Sequence, residues 1–206
     1  RSTLFPYTTL FRSLELSVST IGGNIAENAG GLRGLKYGVT KDYVMGVEFF
    51  DATGEIVKSG SRTVKCVTGY NLAGLMIQSE GTLGIFSEAV LKLVPPPKAS
   101  KALMAVFADV QNAADAVAGI IAAHVVPCTL EFLDNNTIVR VDDFTHAGLP
   151  REAGAILLIE LDGHPAQVAD DAAAVEKVLQ ANHATAVHVP KLQRSEERRV
   201  GKECRS

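Results

Sequence analysis

The sequence predicts an α+β fold in two parts that are joined at a proline run. Strand-like and helix-like patterns alternate along the chain, and Pro95–Pro97 would interrupt any regular element. After the prolines the predicted order is βα-β-(α)-βα-β, which is that of a ferredoxin-like, split βαβ sandwich. We therefore place a boundary after residue 97 and expect a ferredoxin-like subdomain from residue 98 onward.

A hairpin, a helix and a strand are predicted before the prolines. Residues 44–50 and 56–59 are rich in β-formers and flank a short turn that contains glycine, which predicts the hairpin. Residues 71–79 have apolar side chains at helical spacing, and we expect this helix to end at the glycine-containing stretch 80–84. The strand is predicted over residues 85–94.

Seven elements are predicted after the prolines. The longest helix, at 165–182, begins with a proline and has Asp170 and Asp171 in its early part, which suits a helix N-terminus. The run AILLIEL at 155–161 is typical of a buried strand. The other strands are predicted at 102–107, 129–133 and 186–189, and the other helices at 111–123 and 137–144.

Both ends of the sequence are predicted to be artefacts. RSTLFPYTTLFRS (1–13) and RSEERRVGKECRS (194–206) can be written with reverse-complementary codons, so both resemble a sequencing adapter translated from opposite strands. We exclude them from the fold, as one excludes a tag. Residues 14–193 are then expected to be an internal piece of a longer reading frame.

Composition limits the classes of function. The formal charge of −3 includes +2 from each end segment, so residues 14–193 carry −7, which argues against nucleic acid as a partner. No apolar run is long enough for a transmembrane segment. Cys66 and Cys128 lie outside any CxxC pattern, which favours packed free thiols in a reducing compartment. The five histidines show no metal-ligand spacing, and no metal site is predicted.

The stretch TIGGNIAENAGG at 20–31 is the strongest local signal of function. Six glycines lie between Gly22 and Gly38, and Asn24 and Asn28 are interspersed among them. Glycine permits left-handed turns and close approach of a ligand to the backbone, while the amides can donate and accept hydrogen bonds. A polar heterocycle with a phosphate tail would suit such a surface, and a turn-rich loop without a ligand is the alternative.

Three blocks together carry a family resemblance. They are TIGGNIAENAGGLRGLKYG (20–38), DYVMGVEFFDATGEIV (42–57) and TVKCVTGYNLAGLMIQSEGTLGIFSEAVLKLVPPP (63–97). In this order and spacing they resemble the PCMH-type FAD-binding domain of the vanillyl-alcohol-oxidase superfamily, and most of all its branch of glycolate oxidase subunits and D-lactate dehydrogenases. PCTLEFLDN (127–135) and AILLIELDG (155–163) are similar to the start of that branch's cap domain.

The resemblance implies that residues 14–97 are the C-terminal portion of the FAD-binding domain, its second subdomain, and that 98–193 begin the FAD-linked oxidase cap. FAD is the implied cofactor, held without a covalent bond on backbone amides and small residues. The residues matched to the cofactor-binding segments are Thr20, Gly22, Gly23, Asn24, Ala26, Asn28, Gly30, Gly31, Tyr37, Gly38, Glu80, Gly81, Gly84 and Ile85.

Four further side chains are interpreted from the residues alone. Tyr70 opens an amphipathic helix and is expected to be a packing anchor rather than a site residue. Lys65 is expected to be solvated. Arg33 and Lys36 lie between the glycines. For these two residues the sequence favours neither a role in balancing a phosphate charge nor a solvated position.

The function implied is FAD-dependent oxidation of a small 2-hydroxy acid, glycolate or D-lactate, by hydride transfer to the flavin. No catalytic residue is assigned, because the family's histidine constellation is expected beyond the chain end. The resemblance also implies an iron–sulfur or second flavin subunit as electron acceptor, and a cytoplasmic location or a peripheral one at the inner membrane through such subunits. The alternatives are a sibling enzyme for D-2-hydroxyglutarate or an alkyl-glycerone-phosphate, and a non-catalytic FAD-binding subunit.

Overall fold

The computed structural model describes residues 19–189, and within them the chain has the α+β fold that the sequence predicts. The chain falls into two compact units that divide between Pro96 and Pro97, inside the proline run. The segments predicted to be adapter-derived, 1–13 and 194–206, lie outside the described residues. The assignment of 14–97 and 98–193 to two family domains stays a prediction.

The first unit is a small three-stranded sheet with short helices. Its antiparallel strands lie in the order β2-β1-β3. The elements are α1 (Ile21–Glu27), α2 (Gly34–Tyr37), a 3-10 turn (Thr40–Asp42), β1 (Val44–Phe50), β2 (Ile56–Gly60), α3 (Leu72–Met76) and β3 (Ile85–Leu91).

The predicted hairpin is confirmed, and its turn has a local cause. Asp51 Oδ1 accepts hydrogen bonds from the backbone N–H of Thr53 at 2.8 Å and of Glu55 at 3.0 Å, which closes the chain between β1 and β2. The helix α3 packs against β1 through Met76 and Val47, and both side chains are buried. The hairpin and α3 therefore form one small core.

At two places in this unit the structure adds to or corrects the sequence analysis. The stretch around Gly22, for which the sequence predicted no regular element, is a helix, α1: Thr20 Oγ1 caps it by accepting from Gly23 N at 3.0 Å, and Ile25 is buried beneath it. The helix predicted over 71–79 ends early, at Met76, because Ile77 is extended. The helix α3 therefore ends before Gly81 and is not terminated by that glycine.

The second unit is a four-stranded antiparallel sheet with helices, as predicted. Its strands lie in the order β5-β6-β4-β7, which is the second, third, first and fourth strand of the unit and matches a ferredoxin-like sheet. The elements are β4 (Ala99–Phe107), α4 (Val110–Ala122), β5 (Thr129–Asp134), α5 (Asn135–Thr145), β6 (Ala155–Gly163), α6 (Pro165–Ala181) and β7 (Ala186–His188).

One face of this sheet carries the main core. Alternate residues of β4 and β6 point into it, among them Leu103, Phe107 and Leu157, and α4 and α6 cover them with side chains such as Ile120 and Leu179. α5 packs on a smaller second cluster through Ile138. The second unit therefore has its own hydrophobic core, independent of the first.

The two central cysteines differ in exposure. Cys128 is buried, and its thiol donates to the carbonyl oxygen of Glu160 at 3.1 Å, so the expectation of a packed thiol is confirmed there. Cys66 is exposed, which corrects that expectation. Its loop, residues 61–71, forms no helix or strand that would bury it.

Candidate functional site

Two segments that are distant in the sequence meet at the end of α1. Glu80 N donates to Ala26 O at 3.0 Å, and Gln78 N donates to Ile25 O at 3.2 Å. The segments 20–31 and 78–85 are thereby held side by side. The structure brings together the two blocks that the sequence predicted to line one cofactor site.

The loop that meets α1 has an unusual backbone. Gln78, Glu80 and Gly81 all have positive φ, at 69°, 51° and 76°. A non-glycine residue in this region costs roughly 1–3 kcal/mol, and such residues cluster at ligand-binding sites. The bonds from Gln78 and Glu80 to α1 help to hold this conformation.

The glycines of the site fall into two groups. A methyl group added at Gly22 or Gly81 would meet no atom within 4 Å, so neither glycine is explained by crowding within the described protein. Gly81 retains a conformational reason, since its φ is positive. Gly22 has a helical backbone and open space beside it, which a ligand surface would explain.

Three other glycines, Gly23, Gly30 and Gly84, lie close to other parts of the protein. At Gly84 a methyl group would lie 2.5 Å from Phe50 O, so β1 passes too close for any side chain. At Gly23 and Gly30 it would lie 3.1 Å from Thr20 Oγ1 and a Val39 methyl group. Their roles as cofactor contacts stay predictions, as does that of Gly31, which is exposed.

The Tyr37–Gly38 pair is fixed by its neighbours. The hydroxyl of Tyr43 donates to Tyr37 O at 2.5 Å, and Gly38 has φ 79° with the Asp42 carboxylate directly beside it. That carboxylate accepts from Val39 N at 2.8 Å. Burial, and secondly the charge of Asp42, raise the pKa of Tyr43, so its hydroxyl stays a donor at neutral pH.

The predicted contacts line an exposed or half-buried surface rather than a closed cavity. Thr20, Glu80 and Ile85 are exposed, and Ile85 retains 71% of its accessible surface although it is apolar. The half-buried members of the predicted set are Asn24, Ala26, Asn28, Tyr37, Gly38 and Gly84. Such an open wall needs a second surface to enclose a ligand.

A separate cleft of about 640 Å³ lies in the same unit, and the sequence did not predict it. It is bounded by the loop around Cys66, the start of α3 and the lysines Lys41 and Lys92. Tyr70 lies at this cleft with 93% of its surface exposed, so the expectation that it packs as an anchor is wrong. No sequence motif marks this cleft, because its walls come from four separate segments.

Three basic residues, Lys65, Lys36 and Arg33, were considered as phosphate-binding candidates in the sequence. Lys65 is exposed, as predicted. Lys36 Nζ lies 5.7 Å from the centroid of the Tyr37 ring, which is within the range of a cation–π contact. Arg33 precedes α2 and is half-buried. No phosphate-binding role follows for either of the last two.

The residues present fit an FAD molecule. Ile21 and Gly22 are in the first turn of α1, where N–H groups have no intrahelical acceptor and suit the charge of a pyrophosphate. The open space beside Gly22 lets a ligand lie against that backbone. The half-buried amide of Asn24 makes no side-chain hydrogen bond to other described residues and stays available to a ligand.

Comparison with models of known protein families shows which family the chain belongs to. A family model described as "FAD linked oxidases, C-terminal domain" matches residues 96–203, which is more than half of the chain. The chain belongs to the FAD-linked oxidases. A second family model, described as "FAD binding domain", matches residues 7–60 of this FAD-linked oxidase. The resemblance drawn from the sequence and the FAD cofactor are thereby confirmed.

Named relatives of this FAD-linked oxidase agree with that family. The "Glycolate oxidase subunit GlcD" of Bacillus subtilis (strain 168) is 49% identical over 173 residues, which are 84% of this chain and 37% of the relative. The "D-lactate dehydrogenase" of Anaerostipes hadrus is 39% identical over 159 residues, 74% of this chain and 34% of the relative. The chain thus spans about a third of the length of these curated relatives.

A solved structure supports the fold. Alkyldihydroxyacetonephosphate synthase matches with a TM-score of 0.66 and 24% identity over 88% of this chain and 35% of that chain. At this identity the likeness concerns the fold alone. Among the described residues, no helix is long and apolar enough to cross a membrane.

Proposed function

We propose that the first unit of this FAD-linked oxidase forms one wall of the FAD site of a longer FAD-dependent oxidoreductase. The observation that carries the proposal is the junction of 20–31 with 78–85 through Glu80 N and Gln78 N, next to open space at Gly22 and Gly81. The sequence resemblance matched both segments to FAD binding, and although they lie about 50 residues apart in sequence they meet at this one exposed surface.

Each part of the wall has a separate task in this proposal. The first-turn N–H groups of Ile21 and Gly22 donate to the pyrophosphate, and Asn24 offers its amide to polar atoms of the cofactor. Ile85, which is largely exposed, covers an apolar part of the ligand. Glu80 and Gly81 present backbone groups held by the end of α1.

We further propose that the whole protein oxidises a small 2-hydroxy acid, glycolate or D-lactate. The names of the relatives from Bacillus subtilis and Anaerostipes hadrus support this substrate class. FAD, when bound, supplies a two-electron acceptor for the hydride that leaves the α-carbon of the acid. In this proposal the described residues hold and orient that acceptor, and none of them is assigned an acid–base role.

The partner and location follow the same reasoning. The Bacillus subtilis relative is named as a subunit, which supports partner subunits here, and we propose an iron–sulfur or second flavin subunit as the electron acceptor. Such a complex would place the protein in the cytoplasm or at the inner face of the membrane through its partners.

The test uses the complete polypeptide, meaning the product of the uninterrupted reading frame that contains residues 14–193. It is purified, its flavin is identified by absorbance and mass after acid release, and it is mixed anaerobically with glycolate, D-lactate, L-lactate or D-2-hydroxyglutarate. Bleaching of the flavin band by glycolate or D-lactate supports the proposal. A folded product without FAD contradicts the FAD wall. Bleaching by D-2-hydroxyglutarate alone, or by none of the acids, favours the sibling enzyme or the non-catalytic subunit instead.

A further inference from the structure

Asn28 connects three segments of the first unit through its side chain. Its Oδ1 accepts a hydrogen bond from Lys41 N at 2.9 Å, and its Nδ2 donates to Gln78 Oε1 at 3.2 Å. These partners lie 13 and 50 residues away in the sequence. Asn28 itself is the left-handed residue that ends α1, with φ 51° and ψ 47°.

The left-handed backbone suits this connection. Asparagine tolerates the αL region better than most residues, and a residue there turns the chain sharply at a helix end. The carbonyl oxygen of the next residue, Ala29, accepts from both Thr40 N at 3.2 Å and Thr40 Oγ1 at 2.7 Å. The segment around Lys41 is therefore fixed to the end of α1 by three bonds, of which one is made by the Asn28 side chain.

Asn24 provides the contrast. Both asparagines lie in the same stretch and both are half-buried. The side chain of Asn24 makes no hydrogen bond to other described residues, whereas both ends of the Asn28 amide are engaged by the protein. The whole Asn24 amide is therefore open to a ligand, whereas one donor and one acceptor position of the Asn28 amide are already used by the protein.

We propose that Asn28 is a positioning residue that clamps the strained loop 78–81 and the Lys41 segment onto the end of α1, and that its amide does not contact the cofactor. The clamp fixes the relative position of the two halves of the FAD wall before the ligand arrives, which raises affinity by preorganisation. The inference rests on the proposed FAD-binding function, and it replaces the direct contact that the sequence implied for Asn28.

The first experiment compares Asn28→Gly, Asn28→Ala and Asn24→Ala. Glycine adopts the αL region freely, so Asn28→Gly removes only the side-chain bonds, while Asn28→Ala also strains the backbone. Amide hydrogen exchange is measured in the 206-residue chain, and FAD affinity in the complete polypeptide. In Asn28→Gly we expect faster exchange at Lys41 and Glu80 and an FAD affinity about 10-fold weaker. In Asn24→Ala we expect weaker FAD binding with unchanged exchange.

A conservative pair at the partner residue tests the clamp itself. Gln78 is exposed, so neither Gln78→Glu nor Gln78→Leu threatens the core. Glutamate keeps an acceptor for Asn28 Nδ2, and leucine removes it. We expect Gln78→Leu to accelerate amide exchange at Glu80 and to weaken FAD binding. We expect Gln78→Glu to keep the slow exchange of the unaltered protein.

Two results would overturn the proposal. If Asn28→Gly matches the unaltered protein in both exchange and affinity, only the left-handed backbone matters and the side chain clamps nothing. If it weakens FAD binding while exchange at Lys41 and Glu80 stays slow, Asn28 contacts the cofactor directly. Should the unaltered complete polypeptide bind no FAD, the proposed function fails, and the exchange rates in the shorter chain still decide whether Asn28 is a clamp.

Discussion

Replacing Gly22 with alanine would distinguish a glycine that the fold needs from one that a ligand needs. Gly22 is the second residue of α1, and a methyl group there would meet no atom within 4 Å. Its backbone is helical, so alanine fits without strain. The substitution therefore changes only the surface that we propose a ligand covers.

The two expected effects have opposite signs. In the folded chain, alanine in place of a helical glycine stabilises by about 0.5–1 kcal/mol, which raises the melting temperature by roughly 1–4 °C for a chain of this size. For FAD, a methyl group forced into a close contact costs about 1–3 kcal/mol. At about 1.4 kcal/mol for each tenfold change, the dissociation constant rises roughly 5- to 150-fold.

The assay pairs thermal unfolding of the 206-residue chain with flavin-fluorescence titration of the complete polypeptide. Gly34→Ala is the matched control, because Gly34 also lies in the first turn of a helix, α2, and also has no atom within 4 Å of an added methyl group. It is not a predicted cofactor contact. We expect Gly34→Ala to leave FAD affinity unchanged.

An unchanged FAD affinity in Gly22→Ala would refute the reasoning, since the open space would then not be occupied by the cofactor. A loss of affinity that is equal in Gly34→Ala would refute it as well, because the effect would not be local. A lower melting temperature in Gly22→Ala would show that the glycine serves the fold instead.

Two further predictions follow from single contacts. Gly84→Ala should lower the free energy of unfolding of the first unit by about 1–3 kcal/mol, because its methyl group would lie 2.5 Å from Phe50 O and 3.0 Å from Met76 Cε. Chemical denaturation measures this change, and an unchanged denaturation midpoint would contradict the prediction. Asp142 accepts a hydrogen bond from Leu149 N at 2.9 Å, and this bond is the main cause that lowers the pKa of Asp142. The stabilisation that the ionised carboxylate contributes is therefore present above the ordinary carboxyl pKa and is lost as the pH falls through the lowered pKa. Amide exchange at Leu149, corrected for its intrinsic rate, should therefore accelerate as the pH falls through the lowered pKa of Asp142 in the unaltered chain but not in Asp142→Asn, and equal pH profiles would disprove the linkage.

The second unit was largely predictable because its signals are local. The apolar run of β6 and the apolar face of α6 place their side chains in one core whatever the details of packing. The strand and helix order after the prolines then allowed few topologies, and the ferredoxin-like order is the one observed. The bounds differ by a few residues, as for β4, which begins at Ala99 rather than at residue 102.

The first unit was less predictable because its elements are short and depend on distant partners. α1 contains two glycines and has weak helix propensity, yet it forms because Thr20 caps it and Ile25 is buried. α3 ends at Met76, and beyond it Gln78 N and Glu80 N donate to carbonyl oxygens of α1, those of Ile25 and Ala26. Tyr70 is exposed because nothing in the described residues covers it.

By itself the sequence indicated the family and the FAD cofactor through its resemblance to known proteins, and it predicted the elements of the second unit, because apolar periodicity and the proline run are local properties of the chain. Only the tertiary structure decided which of the matched residues have a role inside the protein. Gly84 is required by the passage of β1, and the amide of Asn28 is engaged by Lys41 and Gln78, while Gly22 faces open space. The physical reason is that a hydrogen-bond partner 50 residues away in sequence, or a backbone oxygen 2.5 Å from where a methyl group on Gly84 would lie, is in place only once the chain has folded.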